Sequence, residues 1–292
     1  MTPPAPIAIF MNELAGSART PRVQEAVTLA QQRLGADLHI VATRDPNMLT
    51  TWMAEHLESY RTIIVVGGDG SFGVGYNAVA GSDVVLGYIP AGFGNATAHL
   101  LGLSREPEAL ASTLAAAEAR PVDLVSIDGR LALFAGTGWD AIVAGRYADG
   151  GAKGMLGWAG AVVLSIPDLI DRHDVRVEAD GVVVHDGPIE LLVISTTPWF
   201  GRGLRVNPGA RLDAGRLTLR IYPGPLPAFL PEAARWLAKR KPRARAIHAQ
   251  RVSITSTDGR PVPVQADGDL IGRQSAWSFE IRPAAVRMIG HW

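Results

Sequence analysis

The sequence lacks cysteine entirely and has no excess of either charge. Its 292 residues include 28 Lys and Arg and 28 Asp and Glu, which gives a formal net charge of zero. Without cysteine, disulfide bonds and thiolate metal sites are excluded, and a reducing cytoplasm is compatible with the composition. A balanced charge argues against a protein that binds nucleic acid through a strong overall basic field. We therefore expect no nucleic-acid partner.

Long hydrophobic runs are also absent. The longest apolar candidate, residues 155–166, is well short of the ~20 residues that a membrane-spanning helix needs. The first residues lack the basic segment and the apolar core of a secretory signal peptide. We therefore expect a cytoplasmic protein without a transmembrane segment, which can still lie peripherally at a membrane. The sequence also has no P-loop, no Gly-Xaa-Ser-Xaa-Gly elbow and no histidines at metal-ligand spacing.

Two glycine-rich turns each follow a predicted buried strand. Residues 62–66 run into Gly67-Gly68-Asp69-Gly70-Ser71, and residues 84–89 run into Pro90-Ala91-Gly92-Phe93-Gly94-Asn95. Short continuous apolar runs are typical of parallel strands that are buried on both faces. A helical pattern follows each turn, over residues 73–80 in the first case, so backbone N–H groups would converge there. This geometry favours a phosphate site at the carboxyl edge of a sheet. The alternative is a pair of tight connections without a ligand.

The chain divides into two parts of different pattern. Strands alternate with helices up to Pro121, which indicates βαβ units and a parallel sheet. Beyond that residue, closely spaced strands with Asp-Gly and Pro-Gly turns predict an antiparallel sandwich or barrel. We therefore predict an α/β fold. A Rossmann-like nucleotide domain with a parallel sheet covers residues 1–121, and a β-rich antiparallel sandwich domain covers 122–279. The final strand, within residues 280–292, would return to the first domain.

The two turns resemble the nucleotide-binding signature of the diacylglycerol kinase and sphingosine kinase superfamily, in particular its bacterial soluble lipid kinases. The similarity continues through further segments in the expected order, which are Pro121-Val122-Asp123-Leu124, Gly201-Arg202-Gly203, residues 210–215 and Asp267-Gly268-Asp269. The resemblance implies an ATP-dependent lipid kinase that uses Mg²⁺. Such an enzyme would transfer the γ-phosphate to a hydroxyl of a diacylglycerol-like or sphingoid lipid presented at a membrane surface.

The resemblance also implies roles for two carboxylates. Asp69 would orient a loop, hold magnesium or assist the nucleophile, and the alternative is a turn-capping residue. Asp269 stands where the family usually has a glutamate, and it would take the proton from the acceptor hydroxyl. Asp267 is the neighbour that could replace it, and the alternative is that these residues only form a hairpin turn.

The nucleotide-binding residues implied by the resemblance lie in the turns and after the first two strands. They are Asn12, Thr43, Gly67, Gly68, Asp69, Gly70, Ser71, Gly92, Phe93, Gly94 and Asn95. Three further departures from the family pattern bear on function. Phe93 replaces a threonine, Ala96 replaces an acidic residue, and Ala214 replaces an aspartate that helps to hold a structural magnesium ion. Asp213 is the adjacent candidate metal ligand.

Two other functions stay open beside the lipid kinase. One is an NAD kinase-like enzyme, since that group shares Gly-Gly-Asp-Gly. The other is a non-catalytic nucleotide- or lipid-binding relative, which the three departures make credible. The apolar residues 154–164 could face acyl chains or simply belong to the core. The acceptor and the oligomeric state are not readable from the sequence, and a homodimer stays open.

Overall fold

The computed structural model describes residues 3–42, 45–92, 94–116, 118–151, 154–170, 172–200 and 204–292. The chain forms two compact units. Unit 1 comprises Met1–Val122 together with Ala284–Trp292, and unit 2 comprises Asp123–Pro283. From the sequence we expected these boundaries after residue 121 and before residue 280.

Unit 1 alternates strands with helices. Its elements are β1 (Ile7–Asn12), α1 (Pro21–Leu34), β2 (Asp37–Val41), α2 (Pro46–His56), β3 (Thr62–Gly67), α3 (Asp69–Val79), β4 (Val85–Pro90), α4 (Ala96–Leu100) and α5 (Pro107–Ala116). The strands lie in the order β2, β1, β3, β4, and every neighbouring pair is parallel. The end of the last strand of the chain, β16 (Ala276–Ile289), adds a further parallel neighbour to β4. The predicted parallel sheet is therefore confirmed.

The sequence accounts for these elements locally. All six residues of β3 are buried, as a parallel strand covered on both faces requires. Helix α1 begins with Pro21, whose fixed φ suits the first helical position. It ends at Leu34 and is capped by Gly35, where φ is 60°, because glycine adopts this left-handed conformation without steric cost. Its buried residues, Val23, Ala26, Val27 and Ala30, recur at helical spacing.

Unit 2 is built mainly from antiparallel strands. Its elements are the second part of β5 (Ala119–Ile127), β6 (Arg130–Ala132), β7 (Phe134–Gly138), α6 (Trp139–Asp149), α7 (Gly154–Leu164), a 3₁₀ turn (Pro167–Ile170), β8 (His173–Ala179), β9 (Val182–Ile189), β10 (Leu191–Ser195), β11 (Leu217–Tyr222), α8 (Leu226–Leu237), β12 (Ile247–Ala249), β13 (Arg251–Ser256), β14 (Val262–Ala266), β15 (Asp269–Gln274) and the first part of β16. One sheet orders β16, β13, β8 and β9, and a second orders β12, β11, β10, β7, β14 and β15. The pairs along both are antiparallel.

One hydrophobic core joins the two sheets of unit 2. Fully buried residues of β8 and β13, such as Val177 and Ile254, share a cluster with Leu192 of β10 and Val264 of β14. The indole N–H of Trp277 donates to the carbonyl of Val262 at 2.9 Å, so the two sheets are also linked by a hydrogen bond. The predicted antiparallel β-rich domain is confirmed as a sandwich.

The helices of unit 2 differ from the sequence prediction in one respect. From the sequence we expected helical insertions over residues 154–170 and 227–239, which correspond to α7 with the 3₁₀ turn and to α8, but α6 was not expected. Its buried residues, Ala141, Val143 and Gly145, alternate like those of a strand, so no helical pattern is visible in this segment. Within the described ranges, no helix combines the length and the apolar character needed to cross a membrane.

Candidate functional site

The first glycine-rich turn places a helix N-terminus at the end of β3. Gly68 is extended, with φ −88° and ψ −179°, and α3 begins at Asp69. From the sequence the helix was expected to begin at residue 73. In the structure it begins earlier, so Asp69 is its first residue and not part of a longer loop. The first N–H groups of a helix have no partner within it and carry partial positive charge. This turn therefore offers donors to an anion such as a phosphate.

The second glycine-rich turn lies directly against the first. A Cβ atom built on Gly92 would lie 2.4 Å from Cα of Gly68, and one built on Gly68 would lie 3.3 Å from Cα of Gly92. The amide of Ala91 donates to the carbonyl of Gly67 at 2.7 Å. Any side chain at position 92 would separate the two backbones. The two turns form one continuous backbone surface at the carboxyl edge of the sheet.

Asp69 links the two turns through its carboxylate. Oδ2 accepts a hydrogen bond from the amide of Ala96 at 3.1 Å, and Oδ1 accepts one from Thr97 at 3.0 Å. These are the first two residues of α4, so Asp69, which belongs to α3, caps the N-terminus of a different helix. The negative charge also complements the positive end of α4. Of the roles considered above, the one visible in the structure is the orientation of a loop.

Asn95 and Tyr88 fix the shape of the second turn. Asn95 is 7% exposed, and its Oδ1 accepts from the amide of Gly92 at 2.9 Å while its Nδ2 donates to the carbonyl of Gly92 at 2.8 Å. The hydroxyl of Tyr88 lies 3.2 Å from both Asn95 Oδ1 and the carbonyl oxygen of Gly67. Burial, together with the charge of Asp69, holds the pKa of Tyr88 well above its usual value. Tyr88 therefore stays a neutral donor between the turns. Tyr88 was not among the candidate residues predicted from the sequence.

The other predicted nucleotide-binding residues surround this surface where they are described. Asn12 ends β1, and its Oδ1 accepts from the amide of Leu14 at 3.1 Å. Ser71 lies in the first turn of α3, so close to Gly67 that a Cβ there would meet Ser71 Oγ at 2.7 Å. Gly70 is exposed. Thr43 and Phe93 lie outside the described residues. Their assignment to a nucleotide stays a prediction.

The hairpin Asp267-Gly268-Asp269 belongs to unit 2. Asp267 and Gly268 have φ values of 51° and 96°, as a two-residue turn between β14 and β15 requires. Oδ1 of Asp267 accepts from the amides of Leu133 and Phe134 at 3.0 and 3.1 Å, so this carboxylate ties the turn to the start of β7. Asp269 has an exposed side chain. A structural role in the hairpin turn and a catalytic role are therefore compatible. Asp267 holds the turn, and Asp269 stays the candidate base.

The candidate metal ligand Asp213 lies in a loop that two other residues hold. Its Oδ1 and Oδ2 accept from Nε and Nη2 of Arg211 at 2.9 and 3.0 Å. Asp123, which is 4% exposed, accepts from the amide of Gly215 at 2.6 Å. Across the described part of the chain, no group of three or more His, Cys, Asp or Glu side chains is arranged to hold a metal ion. The metal role of Asp213 stays a prediction.

Comparisons with known proteins agree with this geometry. The model of the diacylglycerol kinase catalytic domain matches residues 6–127, and that of the YegS C-terminal NAD kinase beta sandwich-like domain matches residues 134–290. A protein of Klebsiella pneumoniae (strain 342) named "Probable lipid kinase YegS-like" is 24% identical over 284 residues, which are 92% of this chain and 91% of that protein. A Pseudomonas aeruginosa PAO1 protein of the same name is 28% identical over 204 residues, 68% of this chain and 67% of that protein.

Solved structures support the same fold. A crystal structure of a diacylglycerol kinase from Bacillus anthracis str. Sterne gives a TM-score of 0.75 with 19% identity, over 98% of this chain and 96% of that one. Another structure from that organism gives a TM-score of 0.77 with 19% identity, over 98% and 97% of the two chains. At this identity the structures show the fold alone. The family models place the chain among proteins with a diacylglycerol kinase catalytic domain. Within that class, the chain belongs to the YegS-like family.

Proposed function

We propose that the protein transfers the γ-phosphate of ATP to a hydroxyl group of a diacylglycerol-like or sphingoid lipid. The observation that carries the proposal is the backbone contact between Gly68 and Gly92. It joins the two glycine turns into a single backbone surface beside the first N–H groups of α3, which suits a polyphosphate. Phosphoryl transfer depends mainly on positioning and on charge neutralisation, so a rigid donor surface is the part that the protein must supply.

Asp69 would serve the nucleotide in two ways. It holds the N-terminus of α4 and therefore the shape of the second turn. Each carboxylate oxygen has more than one lone pair, so Asp69 can also contribute to a Mg²⁺ ion that neutralises the phosphates. Mg²⁺ binds oxygen ligands and usually keeps several waters, so a single carboxylate beside the phosphates fits this ion.

Asp269 is the proposed proton acceptor for the lipid hydroxyl. Its side chain is exposed, whereas both backbone partners of Asp267 keep that neighbour in a structural role. A carboxylate that removes a proton from the attacking oxygen typically contributes about 10²–10⁴-fold to the rate. Aspartate is shorter than the usual glutamate, but the same oxygen atoms carry out the proton transfer.

An apolar helix supports a lipid as the acceptor. Helix α7 contains no charged residue, and Leu156 and Leu164 are 83% and 67% exposed. Exposed apolar side chains on one charge-free helix are unusual for a surface that faces only water. We propose that this helix contacts the acyl chains or the membrane that presents them. The exposed cations Lys239, Arg240 and Lys241, which follow α8, would meet anionic headgroups.

The test is a transfer assay with labelled ATP and Mg²⁺ against a panel of acceptors. Diacylglycerol, monoacylglycerol, sphingosine and ceramide are presented in mixed micelles, and NAD is offered in solution. We expect label in one of the lipids. Label in NAD alone would refute the proposal and indicate an NAD kinase-like activity. This alternative is tested because the matching C-terminal family model is named for its likeness to the NAD kinase β-sandwich. Label in no acceptor, with no ATP binding, would indicate the non-catalytic relative.

A further inference from the structure

A hydrogen-bonded chain inside unit 2 leads to the Asp267-Gly268-Asp269 hairpin. Gln265 of β14 is 2% exposed, and its Nε2 donates to Oδ2 of Asp140 at 3.0 Å. Its Oε1 accepts from the amide of Gly268 at 2.8 Å. Asp140 is the second residue of α6, and its Oδ1 accepts from the amide of Ala141 at 2.8 Å. The side chain of Gln265 therefore bridges α6 and the hairpin turn.

The backbone opposite Gln265 is shaped to admit this pair of side chains. Gly136 of β7 is the direct partner of Gln265 in the β7–β14 ladder. A Cβ atom on Gly136 would lie 2.0 Å from Asp140 Oδ2 and 2.8 Å from Gln265 Nε2. No other residue at position 136 would leave room for the bridge. Position 136 requires glycine because the carboxylate of Asp140 and the amide of Gln265 meet in the space that a side chain there would occupy.

The direction of the bridge follows from the chemistry of its ends. The amide of Gly268 can only donate, so it fixes the oxygen of Gln265 toward the turn. The NH₂ group of Gln265 must then face α6, where only an acceptor can satisfy it. A buried donor without an acceptor would be costly. Asp140 supplies that acceptor, even though loss of solvent raises the pKa of its carboxyl group to about 7 while Gln265 and Ala141 lower it.

The turn is therefore held at two successive residues. Asp267 is tied to the amides of Leu133 and Phe134, and Gly268 is tied to Gln265. Asp269 is the next residue. We propose that Asp140 is a positioning residue, which acts through Gln265 to fix the hairpin and so the carboxylate of Asp269. This inference rests on the proposed function, because Asp269 matters only if it takes the proton of the acceptor.

An exchange of the two side-chain types tests the inference. Asp140→Asn places two amides together, and Gln265→Glu places two carboxylates together. The double variant Asp140→Asn with Gln265→Glu restores the bridge in reverse, since the new amide can donate to one oxygen of the glutamate while the other accepts from Gly268. Gln274→Glu, an exposed glutamine on the same hairpin, is the matched control.

Two readouts are compared in the whole 292-residue chain. The first is kcat and KM for ATP with the lipid found in the acceptor panel. We expect each single variant to lower kcat by about tenfold or more with KM for ATP unchanged, since a misplacement of about 1 Å can cost about 10²-fold. The second is amide hydrogen exchange at Gly268, observed with ¹⁵N-glycine, which does not depend on activity. Exchange should be faster in the single variants and close to wild type in the double variant and in the control.

The outcomes separate this inference from the proposed function. If the wild type transfers phosphate to no acceptor, the proposed function fails, and the exchange data alone show whether Asp140 fixes the turn. If Gln265→Glu keeps wild-type kcat and wild-type protection of Gly268, the inference is overturned. Should Gln265→Glu not fold, the double variant decides, because the inference requires it to fold, to protect Gly268 and to recover kcat. A folded double variant without that recovery would also overturn it.

Discussion

Replacement of Asp69 by asparagine removes the carboxylate that joins the two glycine turns. In the wild type, both oxygens accept backbone hydrogen bonds, at 3.1 Å from Ala96 and at 3.0 Å from Thr97, and both of these residues are buried. Asparagine has one oxygen, so one of the two amides would face an NH₂ group. A buried donor without an acceptor costs about 1–3 kcal/mol, and loss of the charge at the start of α4 adds about 0.3–1 kcal/mol.

We therefore expect Asp69→Asn to lower the free energy of unfolding by about 1–4 kcal/mol and to weaken ATP binding, because the second turn loses the contact that holds it. Urea unfolding followed by circular dichroism measures the first effect, and calorimetric titration with ATP and Mg²⁺ measures the second. Asp83→Asn is the matched control, since Asp83 is an exposed carboxylate of the same unit. If Asp69→Asn proved as stable as Asp83→Asn, the capping role of Asp69 would be refuted.

The structure makes three further predictions. Gly92→Ala should abolish ATP binding, because its Cβ would lie 2.4 Å from Cα of Gly68, whereas Gly209→Ala, with nothing within 4 Å, should bind ATP normally in the same titration. Burial raises the pKa of Glu190 to about 7, against the lowering effect of Arg172. The folded state alone then holds that proton between about pH 4.3 and the folded pKa, so stability falls as the pH rises through this window. Glu190→Gln should show a shallower fall, measured as urea midpoints at several pH values, and an unchanged fall would contradict the assignment. Asp123→Ala should loosen the loop at Gly215 and raise its amide exchange, and unchanged exchange would exclude this role for Asp123.

The glycine turns could be predicted because their signal is local. A short apolar run, a glycine pair and a helical pattern lie within about a dozen residues of one another, and parallel strands bring such turns to one edge. Asp69 was recognised as a candidate from the same motif. Its bonds to Ala96 and Thr97 were not predictable, since they depend on how closely the backbones of Gly68 and Gly92 approach. That distance is set by the packing of β3 against β4.

The support beneath the hairpin could not be predicted for a different reason. Asp140 and Gln265 are far apart in sequence, and they meet only because β7 pairs with β14 in a register that places Gln265 opposite Gly136. The helix that carries Asp140 also lacked a helical pattern, because its buried residues are small and alternate along the chain. Asp267 and Asp269 could not be distinguished from the sequence either. The contacts of Asp267 with Leu133 and Phe134 distinguish them in the structure.

The central claim is that the protein phosphorylates a lipid with Asp269 as the base. The most direct test measures phosphate transfer from labelled ATP to the best lipid acceptor, side by side for the wild type and for Asp269→Asn. We expect the wild type to label the lipid and Asp269→Asn to do so at least about 10²-fold more slowly, as the loss of a general base would require. Both proteins should bind ATP equally well, because Asp269 lies outside unit 1 and its glycine turns. A wild-type protein that binds ATP and labels no lipid would contradict the account, and so would an Asp269→Asn protein with the full wild-type rate.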